Sequence, residues 1–334
     1  MDDAGDNNSI GAETRRKAAS GATWVKSREV TLLIVIAAVA LLLSVFRPEA
    51  FLDWKNFEAI ANGMVYDLLM ATGLTLVLMA GGIDLSVGSV LALTGVATTL
   101  MMKEGVSVVL AIPLGLLIAA LIGAFSGFFV AQARIAPFIV TLAVMSIARG
   151  AALVLTSGYY VSALPEPYLE LSRAKVLYIP LPFLITVVFL IVVELLIRYW
   201  RPLHQAFYIG MNYEAARLAG MPVRLVILSV FVISAVAAGM AALFMTSRLG
   251  MGFSGFGMQA EMRAIAAAVI GGASMSGGSG SVFGAALGVV LLALINNGFV
   301  LLNGSPNWQQ AVSGLILLAA VAVDAFRRRK ERQE

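Results

Sequence analysis

The sequence has no cysteine among its 334 residues, which excludes disulfides and thiolate metal sites. A single histidine, His204, is too little for a histidine-based metal centre. Charge is scarce as well: Asp, Glu, Lys and Arg make up 13% of the chain, against roughly 25% in a soluble domain. Signatures of catalysis are missing. There is no G-x-x-x-x-G-K-[ST] phosphate loop, no G-x-S-x-G elbow and no H-E-x-x-H pair. The chain is therefore not expected to hydrolyse ATP itself, and a membrane enzyme ranks last among the function classes. A net charge of +4 is at best a weak signal for nucleic acid.

What is abundant is apolar surface. Hydrophobic residues make up 60% of the chain, and the mean hydropathy is +0.92. Runs near the ~20 residues that cross a bilayer lie at about 30–46, 57–80, 107–132, 137–157, 180–199, 223–247, 281–302 and 307–326. Two more, 86–102 and 260–273, are shorter or richer in small residues and are candidates for partly re-entrant segments. The expected fold is all-α: a polytopic integral membrane protein of about ten transmembrane helices. Basic residues set its orientation. With both termini cytoplasmic, fifteen of the 23 Lys and Arg fall inside, including Arg15, Arg16, Lys17, Arg327, Arg328, Arg329 and Arg134. Both tails on one side require an even number of passes. Residues 1–28 read as a disordered cytoplasmic tail, 29–326 as the membrane domain and 327–334 as a basic cytoplasmic tail. No cleavage pattern follows the first apolar run, so it reads as a retained anchor.

Small residues recur at three- and four-residue spacing in "GAFSGFFVAQA" (123–133) and "FGAALGVVLLALINNG" (283–298). In lipid, such faces carry helix association, so a tight helical core is expected. The turn "GGIDLSVG" (81–88) has a weak echo in "GGASMSGG" (271–278), and transporters are often built from repeats. The largest outside loop, 158–179, is either a docking surface or a plain connection.

Polar residues inside apolar runs are candidate function carriers, since intramembrane charge usually faces a bundle interior or a cavity. Asn62, Asn296 and Asn297 suit a hydroxyl-rich solute. Arg149 either fixes packing or faces the pathway. Asp67 lies within the second apolar run, and Glu194 is close enough to the inner interface to snorkel. Asp84 and Ser86 sit in the turn 81–86. There they either cap the next helix or line a cytoplasmic gate.

The inside loop is the most informative stretch. "YIGMNYEAARLAGMPVRL" (208–225) predicts a short helix with Asn212 as N-cap. Glu214 is favoured at the positive helix end, and Gly220 before Met221 and Pro222 ends the helix. Ala215 and Ala216 give it a flat, small surface that fits a groove on a partner.

This segment resembles the coupling loop of ABC importer permeases, and from about residue 30 the chain resembles the ribose-type monosaccharide permeases, which are related to the branched-chain amino acid permeases. The matching motifs, in order, are "GGIDLSVGS" (81–89), "PFIVTLAVMSIARG" (137–150), "GMNYEAARLAGM" with its leading Gly210 (210–221), "AIAAAVIGGASMSGGSGS" (264–281), "LINNGFVLL" (294–302) and "VAVDAFRRR" (321–329). The long polar tail 1–28 and the missing I-x-L-P ending of the loop depart from the pattern. The resemblance implies a permease subunit that moves a ribose-like sugar across the inner membrane by alternating access, without a cofactor of its own. It implies a periplasmic sugar-binding protein and a second permease copy, identical or paralogous. It also implies a cytoplasmic ABC ATPase, commonly a fused double-domain protein, on which ATP and Mg would be bound. Gly210, Asn212, Glu214, Ala215, Ala216 and Gly220 would form the ATPase-coupling loop, 208–222. The alternative class is a stand-alone secondary transporter or facilitator for a small polar solute.

Overall fold

A computed structural model describes residues 29–304 and, beyond them, positions 311, 314, 315 and 318. Both tails, and nearly all of the tenth expected span at 307–326, lie outside the described residues.

Among the described residues the regular elements are helices apart from one short hairpin. Among the described residues, seven helices are long and apolar enough to cross a membrane: α1 (Glu29–Phe46), α3 (Trp54–Met79), α5 (Val108–Ala131), α6 (Pro137–Thr156), α8 (Leu181–Tyr199), α11 (Val223–Leu249) and α13 (Val282–Leu301). Between them lie α2 (Pro48–Phe51), α4 (Val87–Lys103), α7 (Glu166–Arg173), the strands β1 (Lys175–Val176) and β2 (Ile179–Pro180), α9 (Arg201–Met211), α10 (Tyr213–Leu218) and α12 (Ala260–Ile270). The chain is thus a polytopic membrane protein with two ends, one carrying α7 and the hairpin, the other carrying α10.

The two doubtful spans at 86–102 and 260–273 differ from the long helices. At 1.5 Å per residue, the 17 residues of α4 cover about 25 Å and the 11 of α12 about 16 Å, short of a ~30 Å hydrocarbon core. Each is preceded by irregular chain. After α3 the backbone turns at Gly81 and runs back, without helix, over 82–86 before α4 begins. After α11, Gly250 takes a left-handed conformation, and 251–259 descends to the start of α12. Such backbone is tolerated at membrane depth only inside protein. Accordingly, α4 is buried along nearly its whole length.

Small residues set the packing of the core. Gly115, Ala119, Gly123 and Gly127 stand four residues apart on one buried face of α5. A Cβ on Gly123 would come within 2.6 Å of the Phe231 carbonyl, and one on Gly127 within 2.9 Å of the Leu228 Cα. Two backbones this close gain dispersion over a long seam, which substitutes for the hydrophobic drive missing in lipid. The outer faces of α1, α5, α6 and α8 show large apolar side chains such as Ile34, Leu121, Ile147 and Val188, as lipid contact requires.

At the α7 end, the fully buried Tyr168 pins α7 onto α11. Its hydroxyl donates to the Leu243 carbonyl at 3.0 Å and lies 2.6 Å from Thr246 Oγ1, while Ser247 Oγ donates to the Tyr168 carbonyl at 2.6 Å. Burial pushes the phenol well above its ordinary range. The hairpin is tied to α3 by Lys175 Nζ at 2.7 Å from Glu58 Oε1.

Candidate functional site

The α10 end is built on α9, whose buried Leu203, Ala206 and Ile209 hold it against the bundle. Its last turn stops at Asn212, which is extended (φ −157°), and Asn212 Oδ1 accepts the backbone N–H of Ala215 at 3.0 Å. That cap starts α10. Glu214 and Arg217 pair along its exposed face at 2.8 Å, Ala216 is buried against the body and Ala215 is exposed. Gly220 (φ +77°) closes the segment. Leu218 and Met211 leave 81% and 72% of their surface open, so this end presents apolar side chains to its surroundings. Beside α10 lies a cavity of about 450 Å³, lined among others by Gly82, Arg134, Pro137, Asn212 and Phe231.

Behind α10 the chain makes a junction of backbones. Gly210, three residues ahead of α10, lies against both glycine turns. A Cβ on Gly210 would stand 2.0 Å from the Met79 carbonyl oxygen and 2.5 Å from the Gly278 nitrogen. A Cβ on Gly277 would stand 2.8 Å from the Cα atoms of both Gly210 and Gly81. The Gly278 N–H donates to the Met79 carbonyl at 2.9 Å. The two turns that echo each other in sequence therefore meet in space, on the backbone that leads into α10.

The turn 81–86 leads inward to Asp84. Asp84 Oδ1 accepts the Ser86 N–H at 2.9 Å and the Ser86 Oγ at 2.6 Å, and Oδ2 accepts the Ser234 Oγ at 3.0 Å. Thr141 Oγ1 donates to the Ile83 carbonyl at 3.1 Å. Ser234 is the twelfth residue of α11, so Asp84 lies roughly 16 Å along that helix. It is deeper than a turn at the mouth and only 2% exposed. Neither the Asp84 nor the Ser86 side chain accepts from the first turn of α4: Ser86 is already helical (φ −81°, ψ −15°) rather than extended as a capping residue is. The expected side-chain cap of α4 is absent.

At the same depth the starts of α4 and α12 touch. A Cβ on Gly88 would stand 2.2 Å from the Gly257 carbonyl oxygen and 2.6 Å from Glu261 Oε2. Arg149, on α6, holds this crossing: its Nη1 donates to the carbonyls of Ser254 and, at 2.7 Å, Phe256. Glu261 supplies a nearby opposite charge.

The remaining candidates lie elsewhere. Asn297 and Asn56 exchange amide hydrogen bonds of 2.6 and 3.3 Å between α13 and α3. Asn62 and Asn296 are half-buried. Glu194 does not snorkel freely: its carboxylate faces the N–H groups of Val282 and Phe283 at the start of α13, where Ser281 Oγ caps the Gly284 N–H at 2.9 Å. The structure thus brings Asp84, Ser86 and Arg149 to the depth of the helix breaks and leaves the asparagines apart. Sequence reasoning missed Glu261, Arg263 and the glycine junction. The first two were visible as charges within an apolar, small-residue segment; the third needed the fold.

A family profile described as branched-chain amino acid transport system / permease component covers residues 56–321. The chain belongs to this family. The permease is 34% identical over 302 residues to the D-allose transport system permease protein of Escherichia coli, covering 90% of this chain and 92% of that one. It is 35% identical over 288 residues to the ribose import permease protein of Bacillus subtilis, covering 86% and 89%. Over 301 residues it is 34% identical to the L-arabinose transport system permease protein of Escherichia coli, covering 90% and 92%. No solved structure matches the permease.

Proposed function

We propose that the chain is the membrane-spanning permease subunit of an ATP-driven, binding-protein-dependent monosaccharide importer of the inner membrane. The observation that carries the reading is the exposed α10, backed onto the glycine junction, in a chain whose relatives are permease proteins for ribose import and for allose and arabinose transport. The α10 end is cytoplasmic, and the α7 end faces a periplasmic sugar-binding protein. The fold uses ten crossings, two of them completed by the irregular runs 82–86 and 251–259, with 307–326 as the tenth. Two permease copies enclose the pathway. ATP and Mg belong to a partner ATPase, since this chain has no phosphate loop.

Mechanism follows from contact. An ATPase that grips α10 more tightly in one of its states shifts the permease toward the matching conformation by that difference alone. Displacing α10 pulls on Gly210, and Gly210 has no slack against Met79 and Gly278. The displacement therefore reaches both turns at once. One leads to Asp84 and α4; the other joins α12 to α13. Their far ends meet at Gly88 and Gly257 under Arg149, so the crossing at mid-membrane depth is where alternating access is expressed.

Glu214→Arg tests the reading. It replaces the Glu214–Arg217 pair with repulsion and reverses the charge at the start of α10. Loss of ATPase co-purification, with the variant still folded, is expected; undiminished co-purification contradicts the assignment of α10.

A further inference from the structure

The half of α3 nearest the α10 end is buried without interruption from Leu68 to Met79. The other half opens. Ala59 and Gly63 are exposed, Asn62, Tyr66 and Asp67 are half-open, and a Cβ on Gly63 would meet nothing within 4 Å. Opposite this stripe lie the exposed end of α11 and the start of α12. Arg248 is placed beside the Tyr66 hydroxyl. Arg263 Nε lies 3.4 Å from Asp67 Oδ1, with 35% and 26% of the two side chains accessible. Met258 and Met262 expose 67% and 43% of their surface alongside, and Gln259 is exposed between them.

Position makes this pair unusual. Asp67 is the fourteenth of the 26 residues of α3, so either end of the helix is roughly 20 Å away. A side chain cannot snorkel that far. A partly accessible ion pair at this depth is expected to face water or polar cargo rather than lipid, where charge is costly. The pair closes the lower end of the groove, since below it α3 is sealed.

We infer that Asp67 and Arg263 form the floor of the solute pathway on the α7 side and contact the transported sugar; the inference rests on the importer reading above. The chemistry fits a polyhydroxylated ring. A carboxylate accepts from two adjacent hydroxyls, and a guanidinium donates to hydroxyl oxygens through a planar fork. The exposed methionines supply an adaptable apolar surface for the C–H face of a sugar. A second copy of the chain, as in the importer reading, would complete the open side of the groove.

The lack of native cysteine gives a clean test. Gly63→Cys and Met262→Cys leave the ion pair intact and sit in open space beside it; Val188→Cys, on the apolar outer face of α8, is the lipid-facing control. Each is placed in lipid nanodiscs and treated with negatively charged sulfonatoethyl methanethiosulfonate. A thiol in water ionises and reacts, whereas one in lipid or in a packed interface does not. Residues 63 and 262 are expected to react at least tenfold faster than residue 188. Rates no faster than at residue 188 overturn the groove. In the assembled importer, Asp67→Asn and Arg263→Gln are each expected to lower uptake of ribose, arabinose or allose at least tenfold while the complex still assembles. The swap Asp67→Arg with Arg263→Asp separates a sugar contact from a packing pair. Uptake that stays low supports the contact, and uptake restored by the swap overturns it. If the wild-type importer moves none of these sugars but the two thiols react, the groove stands and the importer reading with its sugar contact fails.

Discussion

Gly278 donates its backbone N–H to the Met79 carbonyl at 2.9 Å, joining the turn after α12 to the last residue of α3. Gly210 is wedged against both partners. Residues some 200 positions apart in sequence thus share one backbone contact directly behind α10. Only hydrogen-sized side chains fit there, so the contact transmits displacement without the give of a flexible side chain.

Gly210→Ala tests that transmission. Its Cβ would meet the Met79 carbonyl oxygen at 2.0 Å, so the junction must open. Sugar uptake by the assembled importer is expected to fall at least tenfold, with the ATPase still bound. Gly150→Ala, where nothing lies within 4 Å of the new Cβ, is expected to match the wild type in the same uptake assay.

Asp84 tests the depth of the break before α4. Asp84→Ala leaves Ser86 Oγ and Ser234 Oγ without their buried acceptor, at about 1–3 kcal/mol for each unsatisfied group. Thermal unfolding in detergent should move to clearly lower temperature. Asp84→Asn keeps an acceptor oxygen and should unfold between the alanine variant and the wild type. If Asp84→Asn folds and assembles yet transports nothing, the negative charge itself serves transport, beyond holding the turn.

Arg149 clasps the descending chain through the carbonyls of Ser254 and Phe256. Arg149→Met should destabilise the protein by about 2–3 kcal/mol, the range for losing charge-assisted hydrogen bonds, seen as a lower denaturation midpoint. Hydrogen exchange should rise first in 251–259. Arg149→Lys, still a donor but without the planar fork, should fall between.

Tyr168 separates anchoring from transport. Tyr168→Phe removes the hydroxyl bonded to Leu243 and Thr246 and should cost about 1 kcal/mol; Tyr168→Ala empties a fully buried site and should cost about 3–5 kcal/mol. Hydrogen exchange over 166–173 reports both, and is expected to rise more steeply in the alanine variant.

Much of this was legible in the sequence, for identifiable reasons. Long apolar runs bounded by Pro137, Pro182 and the turn glycines set the long helices, since length and hydropathy suffice when the solvent is lipid. The Asn212 cap and the Gly220 stop were readable because capping is local chemistry. What stayed hidden was tertiary. The irregular runs 82–86 and 251–259 resemble ordinary turns in one dimension; only the contacts of Asp84 with Ser234 of α11 and of Arg149 of α6 with Ser254 and Phe256 place them inside the bundle. Arg263 gave no signal of a partner because Asp67 lies 196 residues earlier. Gly81, Gly210 and Gly277 were plain glycines until the fold placed them together.

The most direct measurement of the central claim is uptake of ribose, arabinose and allose into proteoliposomes holding the permease with its ATPase and sugar-binding protein. The account predicts accumulation of at least one of them that requires both partners and ATP hydrolysis, and that stops when ATP is replaced by a non-hydrolysable analogue. Equal uptake by the permease alone, without ATPase or nucleotide, would contradict it and mark the chain as a stand-alone transporter.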